Sequence, residues 1–231
     1  MATVRPNEKP QVSSQPDRRD VGLLSVAALL GAALALLGSA ARTGPLTFDS
    51  SIFDTIGGLN SGPLGPPFMF LDRIGSLVLW DLVVIVVGSV RWVVSRRPDA
   101  LLLVAAVVCA EALGFAVKVL VDRPRPDGGG LGDLIASASF PSGHVVRSCV
   151  AVGVLVWLAW PSPRLRWPAL AGGLVGLGLM GLARVASGEH WPSDVIGGYL
   201  VGGIVLALFG AGWPFVRERL PLRKGGAGFA D

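Results

Sequence analysis

Six stretches of the chain are apolar for long enough to approach or exceed a bilayer crossing, and polar segments separate them. The first, 21–41, carries no charge and is bounded by Asp20 and Arg42. The others run 74–90 (interrupted by Asp81), 100–121 (containing Glu111), 145–160, 167–183 and 195–216. About 20 apolar residues suffice for a helix to span the hydrocarbon core. Inside lipid a backbone must satisfy its own polar groups, so such stretches form helices even when rich in glycine. The last two are rich in it, with Gly172, Gly173, Gly176, Gly178 and Gly181, then Gly197, Gly198, Gly202 and Gly203. Small residues let helices approach closely in lipid, within one molecule or between copies. The pattern predicts an all-α integral membrane protein with six transmembrane helices. A signal peptide is the alternative for the first stretch, since Arg18 and Arg19 precede it and Gly38-Ser39-Ala40 resembles a cleavage site. The run is longer than the roughly 7–15 residues of a signal core.

Composition supports that reading. Hydrophobic residues make up 52% of the 231 positions and charged ones 16%, against about 25% charged in an average soluble domain. An ordinary soluble enzyme and a disordered chain are both excluded. A net charge of +4 and a pI near 9.7 raise the question of nucleic acid. The positions of the charges answer it. With a cytoplasmic N-terminus and six crossings, 13 of the 20 basic residues fall on the cytoplasmic side and six on the outer side, with Arg147 inside a span. This is the positive-inside bias of a membrane protein, and no compact basic patch is left for nucleic acid. Residues 1–19 read as a disordered cytoplasmic tail, 20–217 as the six-helix domain and 218–231 as a second cytoplasmic tail. The outer loop 43–73 contains Phe48, Ile52, Phe53 and Ile56 at helical spacing, which suggests a short amphipathic helix on the membrane. Two cysteines cannot make a disulfide framework. Cys109 and Cys149 fall within spans as packing residues, and most of the seven tryptophans lie near span ends, as in an aromatic belt.

The candidate chemistry lies on the outer side, in three clusters. Lys118 to Pro126 ends the third span, Phe140-Pro141-Ser142-Gly143-His144 opens the fourth, and Arg184 to Asp194 joins the fifth to the sixth. Both histidines of the chain are here. Lys118, Arg125 and Arg184 suit a tetrahedral oxyanion, because guanidinium donors match phosphate oxygens in pairs. Ser142 and Gly143 supply a hydroxyl and backbone N–H groups at a helix start, another anion-binding feature. Asp194, four residues after His190, can orient one imidazole nitrogen and leave the other to attack. His144 can then serve as proton donor. Together these groups describe phosphoryl transfer through a phosphohistidine, with catalysis resting on position and charge.

The clusters resemble the signature of the type-2 phosphatidic-acid phosphatase superfamily: Lys-x6-Arg-Pro, Pro-Ser-Gly-His and Ser-Arg-x5-His-x3-Asp. This chain reads Lys118-x6-Arg125-Pro126, Pro141-Ser142-Gly143-His144 and Arg184-x5-His190-x3-Asp194. The resemblance implies hydrolysis of a lipid-linked phosphate or diphosphate without metal or other cofactor. Polyprenyl diphosphate, phosphatidylglycerol phosphate and phosphatidic acid are the candidates. It implies His190 as nucleophile, Asp194 as its partner and His144 as acid, with Lys118, Arg125, Ser142, Gly143 and Arg184 holding the phosphate. Membrane lipids and the lipid phosphate are the implied partners, at the outer face of the cytoplasmic membrane. One position departs: Ala183 stands where the family usually has Ser, a loss of one hydroxyl contact worth roughly 0.5–1.5 kcal/mol that bears on substrate preference. Two competitors share parts of this pattern, a vanadate-dependent haloperoxidase and a non-enzymatic binder of lipid phosphates.

Some residues need a separate account. Arg147 lies one turn into the fourth span on the His144 face, and an intramembrane charge implies function or pairing. Glu111, seven residues before Lys118, is expected to pair with it beneath the site. The alternative is that Arg147 reaches a second phosphate. Asp81 reads as facing interfacial water. Asp122, Asp127 and Asp133 flank Gly128-Gly129-Gly130 in what reads as a flexible loop without calcium-loop spacing. Glu189, beside His190, is expected to point away.

Overall fold

A computed structural model of the chain describes residues 18–57, 59, 62–76, 79–95, 99–126 and 138–219. Asp127, Asp133, Gly128-Gly129-Gly130 and the tails 1–17 and 220–231 lie outside the described residues, as does the side chain of Asp81. Eight helices and no strand occur among the described residues: α1 (Arg18–Ala41), α2 (Thr47–Ile56), α3 (Gly65–Ser76), α4 (Leu79–Ser95), α5 (Asp99–Val121), α6 (Gly143–Ala159), α7 (Arg166–Ala186) and α8 (Pro192–Arg219). Four of them, α1, α5, α7 and α8, are long and apolar enough to cross a membrane, and α6 is a shorter apolar helix.

The boundaries differ from the hydropathy reading where charge and helix propensity part company. The second apolar stretch, expected to begin a helix at Ile74, lies mostly in α4 (Leu79–Ser95), and Ile74 belongs to α3. A single arginine ends an apolar run without ending a helix, so Arg91 does not stop α4. Pro98 disfavours helical geometry in the residue before it, and α4 ends at Ser95. Similarly, α7 continues three residues past Ala183, which puts Arg184 in its last helical turn. The segment between α1 and α4 holds two helices. The amphipathic α2 covers the Phe48–Ile56 stripe, and α3, which the sequence reading left out, is amphipathic too.

α8 occupies the middle, in contact with α1, α2, α5, α6 and α7. Its Val201, Ile204 and Val205 join Leu34 of α1, Ala106 and Val107 of α5, and Val146, Val150 and Val154 of α6 in one buried apolar cluster. Two glycines of α8 set the approach of α6. A Cβ on Gly198 would stand 2.8 Å from Val145 Cβ and 2.9 Å from the Ser142 carbonyl, and one on Gly202 would stand 2.6 Å from Cys149 Cβ. This close packing brings the N-terminus of α6 against the N-terminus of α8, where Ser142 N–H donates to the Asp194 carbonyl at 3.0 Å. Cys149 is buried in that contact, whereas Cys109 is exposed on α5. Gly172, Gly176 and Gly178 of α7 face open space.

Candidate active site

The site forms where the ends of α5 and α7 meet the starts of α6 and α8, with α2 beside them. Lys118 is in the last turn of α5, and its Nζ donates to the Ala138 carbonyl at 2.7 Å. The chain then leaves the helix through Asp122, whose φ of 47° is left-handed. Ser139 ties the two sides of the following segment together, its N–H donating to the Arg123 carbonyl at 2.7 Å and its hydroxyl to that of Pro124 at 3.1 Å. Arg125 is thereby held near the start of α6.

Ser142 is the N-cap residue of α6 by position, yet its side chain makes no capping bond. Its buried Oγ has no hydrogen-bond partner among the described residues, nor have His144 Nε2 and His190 Nδ1. An unpaired buried polar group costs about 1–3 kcal/mol, so three at one place mark a site prepared for something other than folding.

After α7 the chain turns at Gly188, whose φ of +78° suits glycine, and delivers Glu189 and His190 back over the helix ends. His190 is 2% exposed and Asp194 is wholly buried. The carboxylate Oδ2 of Asp194 lies 3.6 Å from His190 Nδ1 and accepts the Trp191 N–H at 2.8 Å. That separation is longer than a hydrogen bond and short enough for an ion pair once the ring gains charge. Burial pushes the His190 pKa down to about 4. Asp194 opposes the shift, and the nearby charges of Arg184 and Lys118 reinforce it. The imidazole is therefore neutral at pH 7, as a nucleophile must be. Because kcat/KM reports the free enzyme, its acid limb is expected near pH 4 instead of the ordinary 6.5. A pH profile falling at the ordinary histidine value would contradict this assignment.

Glu189 corrects the sequence reading. It does not point away: its Oε2 accepts from Arg125 Nη1 at 2.8 Å and from Arg184 Nη2 as well. Burial alone would raise its pKa, but the charges and hydrogen bonds of Arg184 and Arg125 outweigh that and hold it below the usual carboxylate range. Its position follows from charge: Glu189 directly follows Gly188, and its carboxylate pairs with the guanidinium groups of Arg125 and Arg184. Lower in the bundle, Arg147 Nη2 donates to Glu111 Oε2 at 2.7 Å. The pair borders a cavity of 140 Å³ between α5 and α6, shared with Lys118 and Gly143.

Two residues without a role in the sequence reading, Arg123 inside the first cluster and Asp49 far from all three, complete the site. Arg123 is wholly buried. Its Nη1 donates to Asp194 Oδ1 at 2.6 Å and to Ser193 Oγ at 2.7 Å, and its Nη2 to Asp49 Oδ2 at 2.7 Å and the Gly44 carbonyl at 3.0 Å. Asp49, on α2, also accepts from the Ser193 N–H at 2.8 Å and hydroxyl at 2.6 Å. On the same face of α2, the Phe53 ring lies 5.1 Å from that of Trp191, tilted by 48°, and Phe53 and Ile56 pack on Val145, Met180, Val185 and Val195. The other half of the stripe, Phe48 and Ile52, stays partly exposed. Among the described residues no group of three His, Cys, Asp or Glu side chains converges as a metal site.

Residues 99–217 match the PAP2 superfamily over just more than half of the chain. The chain belongs to the PAP2 superfamily. Among its PAP2 relatives, a decaprenylphosphoryl-5-phosphoribose phosphatase of Mycobacterium tuberculosis is 30% identical over 60% of this chain and 74% of the relative. An undecaprenyl-diphosphatase of Sulfolobus acidocaldarius is 29% identical over 78% of this chain and 84% of the relative. The match to phosphatidylglycerophosphatase B of Bacillus subtilis, 26% identical, spans 52% of this chain and 60% of that protein. The fold is that of a transmembrane PAP2-type phosphatidylglycerolphosphate phosphatase from Bacillus subtilis, with a TM-score of 0.66 at 23% identity, over 84% of this chain and 98% of the other. The PAP2 chain is thus a multi-pass membrane protein.

Proposed function

We propose that this PAP2 protein hydrolyses a lipid-linked phosphate or diphosphate through a phosphohistidine on His190, without a metal ion. The observation that carries the reading is the buried His190, 3.6 Å from Asp194 and next in the chain to Glu189, which draws Arg125 and Arg184 together. His190 Nε2 attacks phosphorus while Lys118, Arg125 and Arg184, with Ser142 and the N–H groups at the start of α6, hold the phosphoryl oxygens. The P–O bond to the leaving group breaks, and that oxygen takes its proton from His144, which takes that proton up in the substrate complex, where the negative charge of the bound phosphate favours its imidazolium. Water then attacks the phosphohistidine, giving its proton to His144 and releasing phosphate and neutral His190. Charge stabilisation of this kind accounts for much of the rate in phosphoryl transfer.

The relatives act, by their names, on several different lipid phosphates, so the substrate is proposed only as a class: polyprenyl diphosphate, phosphatidylglycerol phosphate or phosphatidic acid. Arg147, paired with Glu111, has a structural role in this reading, and Ala183 tunes preference by one missing hydroxyl. The charge bias supports six crossings with both termini cytoplasmic and the site opening at the outer face of the cytoplasmic membrane. The test is phosphate release from the three lipid phosphates in detergent, with and without EDTA. Turnover of at least one, undiminished by EDTA, is expected. Halide oxidation with bound vanadate and no phosphate release from any lipid would favour the haloperoxidase instead.

A further inference from the structure

Asp194 has two carboxylate oxygens, and only one of them faces His190. Oδ2 lies toward the ring and the Trp191 N–H, whereas Oδ1 is taken by Arg123 at 2.6 Å. Arg123 is held in turn by Asp49 at 2.7 Å, and Ser193 closes the ring of contacts by donating to Asp49 and accepting from Arg123. Asp49, Arg123, Ser193 and Asp194 are all wholly buried. Asp49 comes from a helix 144 residues away from Ser193 in sequence.

Buried ionised groups are weak contributors to stability for what they cost in desolvation, so this arrangement calls for a reason other than folding. Its charge balance supplies one. Two carboxylates and one guanidinium leave a net charge of −1, and the uncancelled oxygen is the one aimed at His190. The cluster becomes neutral when the imidazole carries positive charge, which is the state formed as Nε2 bonds to phosphorus. The groups facing His190 from the other elements, Arg184 of α7 and Lys118 of α5, are cations. They favour the phosphate and oppose the imidazolium, so the compensating negative charge must come from the Asp194 side.

We propose that Asp49 and Arg123 are positioning residues for the His190–Asp194 pair: together they fix which oxygen Asp194 presents and set the negative charge that receives the developing imidazolium. The outer-loop helix α2 thereby supplies part of the catalytic geometry. This inference rests on His190 being the nucleophile.

The test compares Asp49→Asn, Ser193→Ala and His190→Ala, each in detergent against the three lipid phosphates named above. Asp49→Asn keeps the shape and removes one negative charge. Its kcat is expected to fall on the order of 10- to 100-fold, the range for loss of a supporting contact behind a reactive group. KM should stay within about twofold, since the phosphate cradle is untouched. The acid limb of kcat/KM should also move to lower pH, because a less negative cluster disfavours the imidazolium. A merely structural role would not move that limb. If Asp49→Asn does not fold, Ser193→Ala carries the test: it keeps both charges, so kcat should drop with KM and the acid limb in place. Wild-type kcat and pH profile in the folded variant, with His190→Ala inactive, would overturn this inference and leave the phosphohistidine reading standing. Wild-type turnover in His190→Ala would overturn both.

Discussion

His190→Ala is expected to leave a folded protein whose turnover of lipid phosphates is lower by on the order of 10⁴-fold, the scale for removing one member of a nucleophile–base–acid set. Folding should survive because little else depends on the ring. Its Nδ1 makes no hydrogen bond among the described residues, and Asp194 remains anchored by Arg123 and the Trp191 N–H. Chemistry should not survive, because Lys118, Arg125 and Arg184 can bind and polarise a phosphate but none can form the covalent intermediate. His144→Ala provides the contrast. An acid matters in proportion to how poor the leaving group is, so its loss should slow leaving-group release in the first step strongly for a lipid alkoxide and little for p-nitrophenyl phosphate, while the water step slows alike for both. Single-turnover release of the alcohol or p-nitrophenol from the three proteins gives the comparison. Equal losses in that first step on both substrates would remove His144 from the acid role.

The largest expected effect on stability is at Arg123. Arg123→Ala should destabilise the protein by about 3–5 kcal/mol, the cost of stripping one partner from a buried ion pair. The substitution leaves Asp49 and Asp194 buried with no cation between them, and it opens a gap under Trp191, whose ring lies 5.7 Å from the guanidinium carbon. Thermal unfolding in detergent should show a marked drop in Tm. Arg42→Ala provides a comparison at an arginine that is exposed at the end of α1, where surface substitutions usually cost less than about 0.5 kcal/mol. An Arg123→Ala melting temperature equal to that of Arg42→Ala would show that the buried cluster does not stabilise the fold.

The sequence made the apolar stretches and the three clusters legible because both rest on local information: run length, and fixed spacing within a few residues. Each helix end is within a few residues of its expected position except at α4, where Arg91 ended the apolar run without ending the helix. What was hidden depends on distance in the chain. Asp49 approaches Ser193 across 144 residues, and nothing in the spacing of either announces it. A signal was nonetheless present. Asp49 is four residues before Phe53 and seven before Ile56, so it shares the face of α2 that packs inward, and an acid on a buried face needs a cation. Arg123, a basic residue with no role in the sequence pattern, is that cation. The direction of Glu189 is not legible from its adjacency to His190, because its partners Arg125 and Arg184 come from other parts of the chain.

The central claim is a covalent bond between phosphorus and His190. Rapid acid-free quenching of the enzyme with ³²P-labelled lipid phosphate in EDTA, followed by peptide mapping, tests it directly. The account predicts an acid-labile, base-stable label on the peptide containing His190. Steady phosphate release with no label on that peptide at any quench time would contradict it.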